Sequence, residues 1–325
     1  MTNHPLRVAV IGAGPAGIAA GHELLHQGFD NITLFEKSDA VGGTWHLHTY
    51  PGLACDLWAL SFPLAWPPKP FWSASFDERP EFEQKLQQTC TPFGLDQYVK
   101  LNTKIIHAQF NDDRTWQLTS EAGEIFSFDV VINAMGNQHT AAYPDVEGID
   151  SFSGDSWHGT RWNHEVDLQD KRVAIVGSAA SAIQIVPELA KQAAHLTVLQ
   201  RTPNWIMARG RKFYSKKLIN LFNWLPGLVN FYRRVQAYMM SFTVEGVTLG
   251  HKRMDQFEKM ARDYLHEVIK DPDLRETLTP KSRYGCKRGL VSDDFYPALL
   301  CDNVHLVPEG LKAVRPQGIT TASGL

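Results

Sequence analysis

The chain has 325 residues, 43% hydrophobic and 21% charged, which is ample for more than one average domain with its own core. A formal net charge of -3 argues against nucleic acid as a main partner, because binding a polyphosphate needs a surplus of cations. Cys55, Cys90, Cys286 and Cys301 form no C-x-x-C pair, which argues against a redox dithiol and against a metal site, and no uncharged run reaches the roughly 18 apolar residues of a membrane-spanning helix.

Met1 leads almost directly into a predicted strand, Arg7 to Ile11, so no signal peptide is expected and a soluble, cytoplasmic protein is the default. The strand enters Gly12-Ala13-Gly14-Pro15-Ala16-Gly17, then a helix through His26, then a second strand, Ile32 to Glu36. This is the βαβ dinucleotide fingerprint in its required context. Gly12 allows the tight turn, Gly14 lets backbone amides approach a pyrophosphate, Gly17 lets helix pack on strand, and the helix N-terminus attracts the anion. Glu36 is placed to accept from an adenosine ribose hydroxyl. The site suits FAD or NAD, with Gly12, Gly14, Ala16, Gly17 and Glu36 as its contacts.

Gly42-Gly43-Thr44-Trp45, Tyr50-Pro51-Gly52 and Asp56 follow, where the flavin end of FAD would lie. By its residues alone Asp56 reads equally as a turn cap. Ile105–Phe110, Thr115–Thr119 and Ile125–Phe128 alternate like an inserted antiparallel meander. Asp129 to Gly136 reads as a buried strand ending at the sheet edge that faces a ligand, and Tyr143 to Gly148 as linker. Phe152, Gly154, His158 and Trp162 then form the pattern F-x-G-x-x-x-H-x-x-x-W.

The nucleotide-binding unit recurs after this pattern. Arg172 to Val176 matches Arg7 to Ile11, and Gly177-Ser178-Ala179-Ala180-Ser181-Ala182 opens a helix that returns as the strand Leu196 to Gln200. Arg201 stands as far from Gly177 as Glu36 stands from Gly12, so a cation replaces the acid. An acid repels a 2′-phosphate and a guanidinium offers it a charged fork, so the second site suits NADP(H). Ala179 and Ala182 stand where glycine is usual.

From Phe213 to Val268 the pattern is helical, with one stripe of Leu218, Leu221, Phe222 and Leu225 and another of Phe257, Met260, Tyr264 and Val268. Pro226 and Asp271-Pro272 mark helix starts. A basic run from Arg209 to Lys217 precedes these helices; a membrane-surface role is weighed against a cover over the second domain, which is favoured. Gly285-Cys286-Lys287-Arg288-Gly289 reads equally as a solvated loop or a site. Short strands at Asn303–Val307 and Leu311–Arg315 close the chain.

From about Val8 to about Val307 the chain resembles the class B flavoprotein monooxygenases, and within them the type I Baeyer-Villiger monooxygenases. Phe152, Gly154, His158 and Trp162 fit that group's fingerprint, and Gly43-x-Trp45 with Tyr50-Pro51-Gly52 and Asp56 fits its second signature, G-x-W-x(4)-Y-P-G-x(3)-D. The resemblance implies an α/β fold with two Rossmann-like domains. FAD would bind in residues 1–140 through the first turn together with Gly43, Thr44, Trp45, Asp56 and Gly136. A linker at 141–165 would act as a hinge through Phe152, Gly154, His158 and Trp162. NADPH would bind in residues 166–310, which carry a helical insertion at about 210–283, through Gly177, Ser178, Ala179, Ala180, Ser181, Arg201, Thr202 and Lys287.

The implied catalytic pair is Asp56 and Arg288. NADPH reduces FAD, dioxygen adds to the flavin C4a, and the peroxide attacks a ketone to give an ester or lactone. A protonated peroxide would instead oxidise sulfur or nitrogen, the alternative on the same scaffold. Asn163, Phe62 and Met135 depart from the family's usual residues. Family members continue beyond a position like Leu325, so residues 311–325 are expected to begin a return to the FAD domain; a fragment, or a non-catalytic nucleotide-binding remnant, is the third reading.

Overall fold

The computed structural model describes residues 6–59, 72–248 and 250–324. They form two compact units, the first from residues 6–49 and 79–141, the second from residues 50–59, 72–78 and 142–324.

In the first unit, β1 (Val8–Ile11) leads into α1 (Pro15–His26) and β2 (Ile32–Phe35), followed by two short helices, α2 (Thr44–Leu47) and α3 (Arg79–Gln87). β3 (Val99–Lys100) then joins the sheet, β4 (Ile105–Phe110), β5 (Trp116–Ser120) and β6 (Ile125–Phe128) form the expected meander, and β7 (Val130–Asn133) returns beside β1. The parallel sheet has the order β3-β2-β1-β7. All four residues of β1 are buried, which explains its unbroken apolar run. The meander covers the sheet through Phe35, Leu118 and Phe128, with the Phe35 and Phe128 rings edge to face at 5.7 Å.

Two expectations need correction here. β7 is not buried: among the described residues β1 is its one neighbour in the sheet, and Val130 is exposed. An apolar run marks a parallel strand but does not say whether it is central or at the edge. Glu36 lies just beyond β2 rather than within it.

In the second unit, β8 (Arg172–Val176), α4 (Ala182–Ala190) and β9 (His195–Leu199) repeat the βαβ unit. β10 (Ile206–Met207) leads to four helices, α5 (Lys216–Trp224), α6 (Pro226–Gly246), α7 (Lys252–Val268) and α8 (Pro272–Leu278), and the chain returns through β11 (Leu290–Val291), paired with β10. The short helix α9 (Phe295–Ala298) precedes β12 (Val304–Val307), which completes a parallel sheet of order β12-β9-β8. β13 (Leu311–Arg315) and β14 (Gly318–Thr321) form an antiparallel hairpin inside this unit; β14 is not visible in the sequence pattern.

Helix starts follow the sequence: α6 begins at Pro226, and the Asp271 carboxylate caps α8 by accepting from the amides of Asp273 and Leu274. The stripes differ. α7 buries Met254, Ala261 and Leu265, and leaves Met260 exposed. α5 buries Phe222, with Leu218 packed nearby, while Leu221 and Leu225 face solvent. Both helices carry apolar residues at more than one helical phase, so spacing alone does not select the buried face. No helix among the described residues is long and apolar enough to cross a membrane.

Candidate nucleotide-binding and catalytic sites

In the first unit the glycine turn packs backbone against backbone. Gly12 has φ +104°, and a Cβ on Gly17 would lie 1.8 Å from the Gly12 carbonyl oxygen, so no other residue lets α1 approach β1 this closely. The second signature docks on this turn: the Gly42 amide donates to Ala13 O at 2.9 Å, and a Cβ on Gly43 would lie 2.9 Å from Gly14 Cα. Gly43 precedes α2, where Thr44 sits in the first turn and Trp45 packs on Phe82 at 4.2 Å. The N-terminus of α1 has no side-chain cap, with Gly14 at its head and Pro15, which has no amide proton, next.

Glu36 is buried, and its carboxylate accepts from the amides of Ala13 (2.8 Å) and Ser38 (3.0 Å). It ties the glycine turn to the end of β2, a role the sequence reading did not assign. A carboxylate has about four acceptor sites, so two remain for ribose hydroxyls. Ala16 lies in the first turn of α1; Gly136 is exposed with φ +70°, and Met135 beside it is also exposed. An uncapped helix start, a turn stripped of side chains and a buried acid beyond β2 together fit a dinucleotide.

The later part of the second signature lies in the second unit. Tyr50 Oη donates to Gln184 Oε1 at 3.1 Å, and Gln184 Nε2 donates to Ala54 O at 2.9 Å, so one side chain of α4 holds both ends of the Tyr50–Ala54 turn. A Cβ on Gly52 would lie 2.3 Å from Gln184 O. Nothing in the sequence singles out Gln184. Burial raises the Tyr50 hydroxyl pKa, which keeps it a neutral donor. Burial also pushes the Cys55 thiol up to about 12 and the Cys90 thiol up to about 11, which removes both as thiolate nucleophiles.

Asp56 follows this turn, and its carboxylate pairs with the Arg288 guanidinium, 232 positions away in sequence. The Arg288 side chain keeps 60% of its surface exposed and Asp56 only 23%, so the cation is presented outward on a partly buried anion. Arg288 is placed by β11, whose first residue, Leu290, donates its amide to Trp205 O. A Cβ on the intervening Gly289 would meet the Tyr284 hydroxyl at 2.1 Å. The Asp293 carboxylate accepts from three successive amides, Arg209 (2.8 Å), Gly210 (2.9 Å) and Arg211 (3.2 Å), and fixes the loop leaving β10.

The second glycine turn departs from the first. α1 starts at Pro15, but α4 starts at Ala182 rather than at the matching Ala180, and Ala182 carries a buried methyl where Gly17 has none. Gly177 has φ +105°, as Gly12 does, with open space where a Cβ would stand. Ser178 is buried and its carbonyl accepts from Asn204 Nδ2 at 2.9 Å; Ala179 and Ala180 precede Ser181, which heads α4 without a side-chain cap. Past β9, Arg201 and Thr202 are exposed, and Lys287 Nζ donates to Thr202 Oγ1 at 2.6 Å. Lys287 thus joins the end of β9, adding a second cation beside Arg201.

The fingerprint residues fold locally. The Phe152 ring covers Gly154, and Trp157 meets Trp162 edge to face at 5.5 Å. His158 Nδ1 accepts from the Thr160 amide, its own amide donates to Tyr143 Oη, and the two rings meet at 5.6 Å. Ser153 donates to Pro316 O and the Val314 amide to Glu147 O, so this segment lies on the β13–β14 hairpin. Phe62 lies outside the described residues.

Residues 6–221 match the model of a family described as pyridine nucleotide-disulphide oxidoreductase. The chain belongs to that family. It carries the family's nucleotide-binding architecture without a C-x-x-C pair, its four cysteines standing at 55, 90, 286 and 301. Two relatives, each called a Baeyer-Villiger monooxygenase, come from Pseudomonas aeruginosa and Streptomyces coelicolor; both are 34% identical over 98% of this chain. The chain spans 60% and 62% of their lengths. A crystal structure of OTEMO in complex with FAD and NADP superposes with a TM-score of 0.85 at 26% identity, over 98% of this chain and 69% of that one. An open crystal structure of cyclohexanone monooxygenase gives 0.84 at 23%, over 99% and 71%, and shows the fold alone. The resemblance to Baeyer-Villiger monooxygenases drawn from the two signatures is borne out, as is the α/β fold with two Rossmann-type halves.

Proposed function

We propose that this chain carries the cofactor-binding and catalytic residues of an FAD-containing, NADPH- and O2-dependent monooxygenase that inserts oxygen beside the carbonyl of a small ketone, giving an ester or lactone. The observation that supports this reading best is the Asp56–Arg288 pair, which joins one of the two signatures to a loop whose sequence alone was ambiguous. FAD, when bound, would supply the redox chemistry between NADPH, dioxygen and the substrate. Arg288 stabilises the negative charge that develops on the ketone oxygen, an electrostatic contribution of the oxyanion-hole kind. Asp56 orients the guanidinium and moderates its charge.

The chain's other residues bind. The uncapped start of α1 and the bare Gly12–Gly14 turn take the FAD pyrophosphate, Glu36 the adenosine ribose, and Gly43, Thr44 and Trp45 the neighbouring part of the cofactor. The start of α4 takes the NADPH pyrophosphate, and Arg201, Thr202 and Lys287 take its 2′-phosphate. His158 serves as a hydrogen-bonded residue of the linker rather than as a base, since Nδ1 is engaged by the Thr160 amide. Four free cysteines fit a reducing, cytoplasmic setting.

The test is Arg288→Ala. The variant should take up FAD and be reduced by NADPH at nearly the original rate, yet form no ester from a ketone. Retained ester formation removes Arg288 from the mechanism. A parent protein that stays colourless with added FAD refutes the enzyme reading for this chain, and a parent that oxidises thioethers but never ketones refutes the Baeyer-Villiger assignment.

A further inference from the structure

In α6, Leu228, Phe231, Tyr232, Val235, Tyr238 and Met239 recur at helical spacing and form one apolar stripe. All six are exposed, Phe231 at 64% and Tyr238 at 66%. One flank of the helix buries Val229, packed with Phe222, and a glutamine, Gln236. The helix thus packs through a narrow flank and leaves its broader aromatic face outward, where an apolar stripe ordinarily lies against a core. α5 extends the stripe with Leu221 and with Trp224, whose exposure of 77% is the largest among the described hydrophobic residues.

The charge pattern of this segment is one-sided. Every charged residue from Arg209 to Val244 is a cation, in a chain whose net charge is -3. Arg209 and Arg211 have acidic partners, Asp294 and Glu78, whereas Lys212, Lys216, Lys217 and Arg234 are exposed with no acidic partner among the described residues. Exposed Trp, Tyr and Phe flanked by unpaired Lys and Arg are the residue types that settle at a lipid–water interface, where the ring is half buried and the cation meets a headgroup phosphate. A second copy of this face is a poor occupant, because a self-complementary contact would bring Lys216, Lys217 and Arg234 of both copies together with no acid from Arg209 to Val244 to pair them.

We propose that the outer face of α5 and α6 docks on the surface of an anionic lipid bilayer, reversibly and without spanning it. The cations give the preference for anionic headgroups and the aromatic stripe gives the hold. A lipophilic ketone partitions into the same surface, so docking would raise its concentration near the protein; this last clause rests on the proposed function, the docking itself does not.

The test is co-sedimentation of the purified chain with vesicles of phosphatidylcholine alone and of phosphatidylcholine with about one-third phosphatidylglycerol. Binding to the anionic vesicles should be at least ~10-fold greater, should fall with added salt, and should be lost in Trp224→Gln/Phe231→Gln and in Lys216→Glu/Lys217→Glu. Circular dichroism melting checks the fold of both variants; should the apolar pair prove unstable, the charge-reversed pair decides alone. Equal binding to both vesicles, no binding, or binding unchanged by the charge reversal overturns the proposal. So does self-association abolished by the same substitutions, which assigns the face to a second copy, or its burial by further chain in a longer form of the protein, which assigns it to that segment.

Discussion

Glu36 and Arg201 hold equivalent places in two copies of one unit and carry opposite charges, and in the proposed function that exchange, with Thr202 and Lys287 beside Arg201, separates the two nucleotides. Glu36 is buried on two amides, whereas Arg201 stands exposed beside the Lys287–Thr202 contact. Arg201→Ala should weaken NADPH binding by about 1.5–3 kcal/mol, the range for a lost charged hydrogen bond, and leave NADH nearly unaffected. Titration with both nucleotides checks this, and equal weakening contradicts the phosphate assignment. His46 supplies a second residue-scale prediction. Its ring lies 2.9 Å from Glu83 and 2.8 Å from Asp39, and Arg79 braces Glu83 at 2.7 Å. Burial alone would lower the His46 pKa, but the hydrogen bonds and charges of Glu83 and Asp39 outweigh it, and the net shift is upward from 6.5. Because the folded value exceeds the unfolded one, the contribution to stability is complete below about pH 6.5 and fades as pH rises through the raised pKa. Asp39, lowered by the same contact, stays ionised across that window. The difference in melting temperature between the parent and His46→Gln should therefore shrink from pH 6 to pH 9; a constant difference would show that His46 acts through packing alone.

Helices and turns divide by how their information is stored. The glycine turn is decided over a few residues: a methyl at Gly17 cannot coexist with the Gly12 carbonyl, so the spacing of glycines reports the geometry directly. α7 stores less. Of the stripe Phe257, Met260, Tyr264 and Val268, Phe257 packs on Tyr284 and Tyr264 on Tyr296, but Met260 is exposed and the fully buried positions are Met254, Ala261 and Leu265. Leu265→Ala should cost about 2–5 kcal/mol as a cavity in a packed face, and Met260→Ala less than about 0.5 kcal/mol. Urea denaturation of the two variants measures both, and comparable losses would restore the face read from spacing. Residues that link distant elements left no local trace. Gln184 bridges Tyr50 and Ala54, Asn204 holds Ser178, and Asp293 gathers three amides, each an ordinary polar residue in its own stretch of chain. The stripe of α6 was legible as apolar periodicity, but its outward direction was not.

At the scale of the molecule, each compact unit contains its own glycine turn, parallel sheet and helix N-terminus. Each nucleotide should therefore protect its own unit from amide hydrogen exchange: FAD the residues of 12–17 and 42–45, NADP+ those of 177–182 and 201–202 with Lys287. Protection of the first turn by NADP+ alone would reverse the assignment. The sequence by itself determined the two βαβ units, their order, the change from acid to cation, and the resemblance to Baeyer-Villiger monooxygenases. Those features rest on backbone sterics and charge within short stretches of chain, where residue type and spacing are nearly sufficient. The resemblance implied the pair Asp56 and Arg288 and the tertiary structure supplied their contact; only the tertiary structure decided that Glu36 locks the turn it follows, that β7 is an edge strand among the described residues, and that α6 faces outward. Each depends on which surfaces distant segments bury against one another, and a contact across 232 positions leaves no periodicity to read.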